Sequence, residues 1–434
     1  MRMIAHPIDE MYGEMQVPGD KSMSHRALLL GAIAVGQTVI EGFLPSDDCL
    51  STRNALLSMG VCITQPSPET VLIEGQGGDG LFAPGDPIDC GNSGTLMRLL
   101  AGLMAAQSFE SVLTGDLSLQ NRPMSRVCFP LQTMGANIHT HKGKPPIHIR
   151  PVHSLTGITY EMPIASAQVK SCLLLAGLYA RGETVILENT TTRDHTERML
   201  KAFSYPIAIR RGQVAVLGGQ HCIGAHVNIP GDLSSAAFFV VAATLIKNAS
   251  IMIRSVGINP TRMGFVLILR LMGADIQVIN ERFFGEEPVG DLLVKHAPLH
   301  GVKIPPEFVS LAIDEFPILF IAAACAKGKT SLSGAQELRA KESDRLVVMA
   351  DGLRVLGIDV DLFDDGINIE GGTLNGGLID SQLDHRVAMA FLIAGAVAQS
   401  SVVVQGIESI STSFPEFFEI ANQMGLDIKE CEDA

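Results

Sequence analysis

The chain has 434 residues, of which 47% are hydrophobic and 18% charged, and its formal net charge is −14. This length suits two or three domains, and this composition excludes an intrinsically disordered chain. The sequence contains no tryptophan and no basic arm, so we expect neither a nucleic-acid partner nor an anionic membrane partner. An anionic ligand would need a local cluster of cations that acts against the acidic field of the whole chain.

The eight cysteines are scattered along the chain and form no C-x-x-C pair. This pattern predicts free thiols in a reducing cytoplasm, with neither a disulfide nor a zinc site. The first residues lack the charged and then apolar pattern of a signal peptide. The longest apolar runs, 235–246 and 387–398, are shorter than a membrane span and predict buried helices in a cytoplasmic protein.

The first motif in chain order is the stretch 18–26, which reads PGDKSMSHR. A turn here places one lysine, two serines and one arginine at the start of the apolar segment 27–35. Backbone N–H groups at a helix N-terminus, together with two fixed cations, form a site for an anion. The alternative is a loop with solvated charges and a serine N-cap.

A leucine-x-x-methionine-glycine phrase then recurs about every 70 residues, which indicates an internal repeat. The six copies, of which the last three are looser, are Leu56–Gly60, Leu131–Gly135, Leu269–Gly273, Leu353–Gly357, Ala421–Gly425 and Leu200–Ser204. Each copy ends an amphipathic helix and precedes a short strand, and five of the six have a glycine suited to the helix C-cap.

A second helix, with a polar start and an apolar body, precedes each copy. We predict these six buried helices at Ser24–Ala34, Gly94–Ala106, Ser166–Ala180, Ser234–Ile246, Glu315–Ala326 and Asp384–Ala398. If the helices run parallel within a domain, their polar starts and positive ends all face one cleft and form an anion site. Ordinary N-capping explains the serines and aspartates, but it does not explain the cations near four of the six starts.

Short strands are predicted between the helices, and we place them at residues 37–40, 71–73, 136–138, 184–187, 250–253, 274–278 and 401–404. The phrase PGDKS at Pro18–Ser22 recurs as PGDLS at Pro230–Ser234, which divides the repeat into two halves. We therefore predict two domains of three repeats each, residues 16–229 and residues 1–15 plus 230–434. Two chain crossings between such domains suit hinge closure around a ligand.

Six motifs now point to a known family. They are Pro18–Arg26, Gly91–Thr95, Asn121–Met124, Ser166–Gln168, Arg339–Arg345 and Asp384–Arg386. Together they closely resemble the EPSP synthase family over essentially the whole chain. The resemblance implies the fold class α/β, as a two-domain inside-out α/β barrel with six βαβαββ repeats. It also implies transfer of the enolpyruvyl group of phosphoenolpyruvate to the 5-hydroxyl of shikimate 3-phosphate, in the shikimate pathway, with no cofactor.

The resemblance also assigns site residues. Those implied for shikimate 3-phosphate are Lys21, Ser22, Arg26, Ser166, Ala167, Gln168, Arg193, Asp314 and Lys341. Those implied for phosphoenolpyruvate are Lys21, Gly94, Arg122, Gln168, Arg345 and Arg386. The reaction needs a base near the hydroxyl and a proton donor for the methylene carbon, and Lys21, Asp314 and Glu342 are the candidates. Which of them protonates carbon stays open, and no metal is expected.

Several positions depart from many members of the family. Ala167 replaces a serine, Thr412 replaces a lysine, Glu337 stands where asparagine is frequent, and Thr192–His195 replaces a substrate-binding segment. These departures resemble the second class of EPSP synthases, in which Arg193 would take over a phosphate contact. Because Gly94 leaves room for glyphosate, we expect sensitivity to that inhibitor.

Two alternatives remain open at this point. The sister enolpyruvyl transferase acting on UDP-N-acetylglucosamine shares the fold, but it lacks the pattern at Lys21–Arg26 and uses a loop cysteine from which Cys128 is displaced. A non-catalytic anion-binding protein could also keep the fold, and phosphate release would distinguish it from an enzyme. The partners that we expect are the small-molecule substrates shikimate 3-phosphate and phosphoenolpyruvate, bound by a monomer.

Overall fold

The computed structural model describes residues 1–431 and contains two compact units. The N-terminal unit comprises Gly19–Ile229 together with Phe283–Glu287, and the C-terminal unit comprises, among the described residues, Met1–Pro18, Pro230–Arg282 and 288–431. The sequence gives no sign that Phe283–Glu287 groups with the N-terminal unit. The domain limits 16–229 and 1–15 plus 230–434 stay a prediction, because a compact unit is not yet a domain that folds by itself.

The N-terminal unit has six α-helices among its described residues. They are α1 (Lys21–Ile33), α2 (Asp47–Ser58), α3 (Gly94–Met104), α4 (Ser125–Thr133), α5 (Ala167–Gly177) and α6 (His195–Ala202), with a 3₁₀ turn at Leu119–Asn121. In the C-terminal unit the helices are α7 (Leu233–Leu245), α8 (Gly264–Leu271), α9 (Pro306–Val309), α10 (Phe316–Ala324), α11 (Arg345–Val355), α12 (His385–Gly395) and α13 (Phe417–Gln423), with 3₁₀ turns at Gln336–Ala340 and Ile407–Thr412.

Three four-stranded sheets belong to the N-terminal unit. In spatial order they are β14 (His226–Asn228), β3 (Val35–Glu41), β5 (Thr70–Gln76) and β4 (Cys62–Ser67); β6 (Ile88–Asp89), β7 (Ser111–Thr114), β9 (Lys144–Arg150) and β8 (Asn137–His141); and β10 (Thr159–Glu161), β11 (Glu183–Leu187), β13 (Gln213–Leu217) and β12 (Ile207–Arg210).

Three more sheets are formed by strands elsewhere in residues 1–431. They are β16 (Asp275–Phe284), β17 (Glu287–Lys295), β15 (Asn248–Gly257) and β2 (Glu10–Gln16); β18 (Lys329–Leu332), β20 (Gly366–Glu370) and β19 (Asp359–Phe363); and β21 (Gly377–Asp380), β22 (Val402–Gln405), β1 (Arg2–His6) and β23 (Asp427–Glu430). As predicted, the first residues of the chain pair with late strands, because β2 is parallel to β15 and β1 is antiparallel to β22 and β23.

The six sheets share one pattern of strand directions. Each four-stranded sheet has a parallel pair at one edge and antiparallel neighbours beside it. In the three-stranded sheet, an isolated parallel bridge between Lys303 and Ser331 occupies the place of the missing edge strand. This pattern confirms the α/β fold with six repeats.

The six predicted buried helices are confirmed as α1, α3, α5, α7, α10 and α12, with limits that differ by about three residues at most. They are buried because they are apolar on all sides, so that every face must be covered by protein. In α7, for example, every residue except the last is buried. Each unit therefore has its own apolar core around three such helices.

The repeated phrase also has one conformation. Its five glycines all have a positive φ, namely Gly60 at 82°, Gly135 at 95°, Gly273 at 105°, Gly357 at 85° and Gly425 at 90°. Ser204, in the copy without glycine, keeps the left-handed conformation with φ at 57°. The backbone thus repeats six times even where the sequence signal is weakest.

The N-capping alternative is correct for five of the six buried helices. The side chains that accept a backbone N–H from the first turn are Asp20, Ser93, Ser166, Asp232 and Asp384. Capping therefore accounts for these serines and aspartates. The cations that accompany them need a separate explanation.

Between residues 1 and 431 no helix is long and apolar enough to cross a bilayer. The same residues contain no group of three or more histidine, cysteine, aspartate or glutamate side chains that could hold a metal ion. The seven cysteines from Cys49 to Cys325 are free thiols.

Candidate active site

The polar starts of the three buried helices of the N-terminal unit meet. Gln168 at the start of α5 donates its side-chain amide to the Thr95 hydroxyl of α3 at 2.9 Å, and it accepts a hydrogen bond from Arg98. Arg26 of α1 donates to the Ser171 hydroxyl of α5 at 2.7 Å. The positive ends of three helix dipoles therefore lie together, as the parallel arrangement requires.

Lys21 is the first residue of α1, and its ammonium lies 2.9 Å from a carboxylate oxygen of Asp48. Asp48 is a buried residue in the first turn of α2. The ion pair fixes the lysine head group at the helix start, where Ser22 follows it. Sequence reasoning did not select Asp48, because 27 residues separate it from Lys21 and an acidic residue in a first helical turn has an ordinary explanation.

Arg26 is buried, and three neutral oxygens hold its guanidinium. Its Nε donates to the Thr196 hydroxyl at 2.7 Å, one terminal nitrogen donates to the Ser22 carbonyl at 2.8 Å, and the other donates to Ser171. These bonds join α1, α5 and α6. The cation is thereby fixed in orientation before any ligand binds.

A second basic group lies at the start of α3. A Cβ atom added to Gly94 would lie 2.9 Å from a terminal nitrogen of Arg122 and 3.3 Å from one of Arg98. Arg122 also donates to the Asn92 side chain at 2.8 Å. Two guanidinium groups beside a helix N-terminus suit a carboxylate or a phosphate. Arg98 was not among the predicted site residues, although its place one turn after Gly94 is a usable signal.

The remaining predicted residues of this unit surround the start of α5 and the loop before α6. Ser166 caps α5, Ala167 is its first helical residue, and Gln168 follows. Arg193 is a half-buried residue in the loop that leads into α6.

The C-terminal unit repeats this arrangement with its own three buried helices. Ser234 of α7 donates its hydroxyl to the carboxylate of Glu315, the residue before α10. Arg386 of α12 donates to the backbone carbonyl of Asp314 at 3.0 Å. The starts of α7, α10 and α12 therefore also lie together.

Asp314 is the centre of the charged cluster in this unit. One of its carboxylate oxygens lies 2.9 Å from the ammonium of Lys341 and 3.5 Å from the guanidinium of Arg345. Glu342 is paired with Arg345, and Arg386 donates to the Asp314 carbonyl. The structure therefore brings together the five residues that the sequence predicts in this unit, which are Asp314, Lys341, Glu342, Arg345 and Arg386.

Arg345 is the most deeply buried member of this cluster, at 1% exposure. Its Nε lies 2.8 Å from a carboxylate oxygen of Asp384, which is fully buried and also caps α12. Burial opposes the charge of Arg345, yet the carboxylates of Asp384 and Glu342 hold its pKa above the usual value. Sequence reasoning quoted Asp384 within a motif but did not select it for the site.

The family model of EPSP synthase (3-phosphoshikimate 1-carboxyvinyltransferase) matches residues 5–421. The chain belongs to the EPSP synthase family.

Relatives of nearly the same length support this membership. A 3-phosphoshikimate 1-carboxyvinyltransferase of Legionella pneumophila (strain Lens) is 55% identical over 430 residues, which is 99% of each chain. One of Coxiella burnetii (strain RSA 493 / Nine Mile phase I) is 52% identical over 424 residues, which is 98% of this chain and 97% of the relative. A solved EPSP synthase from Acinetobacter baumannii is 49% identical, with a TM-score of 0.88 over 99% of this chain and 100% of that one.

Proposed function

We propose that this chain transfers the enolpyruvyl group of phosphoenolpyruvate to the 5-hydroxyl of shikimate 3-phosphate, as a 3-phosphoshikimate 1-carboxyvinyltransferase. The family match and the full-length relatives of that name support the proposal. The observation that carries it is the set of fixed cations at the starts of the buried helices. Two substrates that bring two phosphates and two carboxylates require several such cations.

The reaction proceeds by addition and then elimination. The 5-hydroxyl oxygen forms a bond to C2 of phosphoenolpyruvate, while the hydroxyl proton goes to a base and C3 gains a proton to become a methyl group. In the second step C3 loses a proton and the bond between C2 and the phosphate oxygen breaks. The products are 5-enolpyruvylshikimate 3-phosphate and inorganic phosphate.

We assign the binding of shikimate 3-phosphate to two groups of side chains. In the N-terminal unit they are Lys21, Ser22, Arg26, Ser166, Ala167, Gln168 and Arg193, and in the C-terminal unit they are Asp314 and Lys341. Arg26 supports this assignment because its guanidinium is already held by three protein oxygens. A preoriented cation loses little conformational entropy when an anion binds.

We assign phosphoenolpyruvate to Lys21, Gly94, Arg122 and Gln168 in the N-terminal unit and to Arg345 and Arg386 in the C-terminal unit. The short approach of Arg122 to Gly94 supports this assignment, because a side chain on residue 94 would occupy space beside the guanidinium. A planar guanidinium can bind a carboxylate or phosphate through two parallel hydrogen bonds.

Proton transfer is assigned to Asp314, Glu342 and Lys21. Asp314 suits the base that receives the hydroxyl proton, because the neighbouring Lys341 and Arg345 hold its carboxylate in a fixed position. Glu342 and Lys21 are then the candidates for protonation of C3, and each is held in place by an ion pair, with Arg345 and Asp48 respectively.

We further propose that the enzyme is of the second class, works as a monomer and acts in the cytoplasm. Ala167 between Ser166 and Gln168, and Arg193 before α6, support the class. An arginine in this loop would supply the phosphate contact that other members make with the segment it replaces.

The test is phosphate release from phosphoenolpyruvate, measured with shikimate 3-phosphate and separately with UDP-N-acetylglucosamine. Turnover with the shikimate ester alone is expected. Turnover with the sugar nucleotide alone would mean that the acceptor is wrong. Thermal protection by both substrates without any turnover would favour a protein that binds anions and does not catalyse the reaction.

A further inference from the structure

Lys170 lies in the first turn of α5, two residues after Gln168, and is 1% exposed. Its ammonium lies 2.6 Å from a carboxylate oxygen of Glu197 and 3.1 Å from the carboxylate of Glu188. It also donates to the backbone carbonyl of Thr192 at 3.5 Å. These four residues, which we name the Lys170 cluster, join α5, α6 and the loop between β11 and α6.

The Lys170 cluster is costly to bury. Two carboxylates and one ammonium have a formal charge of −1, and one oxygen of Glu197 is buried without a hydrogen-bond partner. Burial raises the pKa of Glu197 even though Lys170 opposes the shift. Well-packed apolar side chains of similar volume are often as stable as buried ion pairs, or more stable, so stability alone does not account for this cluster.

The location of the cluster suggests a function. The backbone N–H of Lys170 donates to the Ser166 carbonyl at 3.1 Å, and Thr192 directly precedes Arg193. Next to Glu197, Thr196 accepts the hydrogen bond from Arg26. Thus members of the cluster adjoin three groups that we assign to shikimate 3-phosphate, namely the start of α5, Arg193 and Arg26.

We propose that Lys170 is a positioning residue for shikimate 3-phosphate, a role that rests on the function proposed above. An ammonium has three N–H donors, and three acceptors, in Glu188, Thr192 and Glu197, surround this one. Lys170 therefore does not need to contact the substrate. It holds the Thr192 carbonyl in place. Because Arg193 follows Thr192, this contact also sets the distance between Arg193 and the start of α5, so that one phosphate ester can bind between them.

The test uses two variants of the full chain. Lys170→Met leaves two carboxylates without their cation. The triple variant Lys170→Met with Glu188→Gln and Glu197→Gln keeps the side-chain sizes and removes all three charges, so no repulsion opposes folding. In both variants the Thr192 carbonyl loses its hydrogen bond from the Lys170 ammonium. The KM for each substrate, kcat and thermal unfolding are measured.

We expect the KM for shikimate 3-phosphate to rise roughly tenfold to a hundredfold in both variants, because small displacements of binding groups have effects of that size. The KM for phosphoenolpyruvate should change less than about threefold, since only Gln168 among the groups assigned to that substrate adjoins the cluster. A purely structural role would lower thermal stability and leave the ratio of the two KM values unchanged.

Asp291→Asn is the matched control. Asp291 lies on β17 in the C-terminal unit, is 4% exposed and is 3.0 Å from Arg254. Burial opposes its charge, but the Ser255 N–H, Asn280 and Arg254 lower its pKa to about 2. The control should lose thermal stability at neutral pH with the KM for shikimate 3-phosphate unchanged.

A folded triple variant with an unchanged KM for shikimate 3-phosphate would overturn the role of Lys170. So would an equal rise in both KM values. Absence of turnover in the unsubstituted protein is a different result, because it would contradict the proposed function itself.

Discussion

Single residues in this protein have their roles set by contacts that are distant in sequence. Lys21 and Asp48 are 27 residues apart, and Lys341 and Asp314 are also 27 apart, yet each pair is in contact. Motifs identified the lysine of each pair as one that a phosphorylated substrate would need, and in the second pair they also identified the carboxylate of Asp314. The carboxylate partner Asp48 could not be predicted, because nothing local to α2 shows which side chain its first turn will contact.

The first prediction concerns Asp314. Asp314→Asn keeps the size of the side chain and removes the carboxylate that Lys341 and Arg345 stabilise. We expect kcat to fall by about 10² to 10⁴, which is the usual contribution of a positioned base. Asp351→Asn is the control, because Asp351 is an exposed residue of α11 that pairs with Arg354. Equal kcat values for Asp314→Asn and the unsubstituted protein would exclude Asp314 as the base.

The second prediction concerns His25, which is fully buried in α1 and has its Nδ1 2.6 Å from the Thr52 hydroxyl. Burial, and then the charges of Lys21 and Arg26, lower its pKa well below 6.5. Because the unfolded chain binds the proton more tightly, this residue should lower the free energy of unfolding as the pH falls below 6.5.

His25 should therefore be mainly neutral at pH 6.5, where an unperturbed histidine is half protonated. Selective ¹³C labelling of the histidine rings, with His25→Asn to assign the signal, measures this by NMR. A titration midpoint at the usual histidine value would contradict the burial argument.

At the scale of the element, local sequence signals were sufficient to predict the buried helices and the ends of the amphipathic helices. The six buried helices could be predicted because an all-apolar helix leaves no choice of exposed face. The ends of the amphipathic helices could be predicted because a left-handed residue favours glycine. The contact between Thr95 and Gln168 could not be predicted, because 73 residues separate them and only the packing of α3 on α5 brings them together.

The third prediction concerns the helix end at Ser204. Because Ser204 has a φ of 57°, Ser204→Gly should relieve backbone strain and raise the free energy of unfolding by about 0.5–1 kcal/mol. The reverse change in an equivalent position, Gly425→Ser, should destabilise the protein by a similar amount, since Gly425 has a φ of 90°. Denaturant unfolding of both variants measures this. A loss of stability in Ser204→Gly would contradict the equivalence of the six repeats.

The fourth prediction concerns Gly94 at the start of α3. Gly94→Ala places a Cβ 2.9 Å from the end of Arg122, a flexible side chain that must move away. We expect the KM for phosphoenolpyruvate to rise about tenfold, because the guanidinium is displaced from its place. Glyphosate should inhibit the unsubstituted protein in competition with phosphoenolpyruvate, and it should inhibit the variant more weakly.

Gly85→Ala is the control for this change, because a Cβ there meets no atom within 4 Å. Its kinetics should equal those of the unsubstituted protein. Absence of glyphosate inhibition in the unsubstituted protein would contradict the predicted sensitivity.

At the scale of the whole molecule, the internal repeat was the sequence signal that predicted most of the architecture. Six copies of one phrase gave the number of repeats, and the doubled PGD turn placed the change between the two halves of the chain near residue 229. In the structure, the boundaries between the two compact units follow Pro18 and Ile229. The segment Phe283–Glu287 also belongs to the N-terminal unit. That segment has no turn motif that distinguishes it from any other hairpin, so only the folded chain could reveal its place.

In enolpyruvyl transfer, phosphate leaves with the oxygen that joined it to carbon. The most direct test is phosphoenolpyruvate labelled with ¹⁸O in that bridging position and incubated with the protein and shikimate 3-phosphate. We expect all of the label to appear in inorganic phosphate, and we expect mass spectrometry and NMR to identify an enol ether on the 5-oxygen of shikimate 3-phosphate. Label that remains in pyruvate would show cleavage of the other bond, between phosphorus and oxygen, and would contradict the proposed enolpyruvyl transfer.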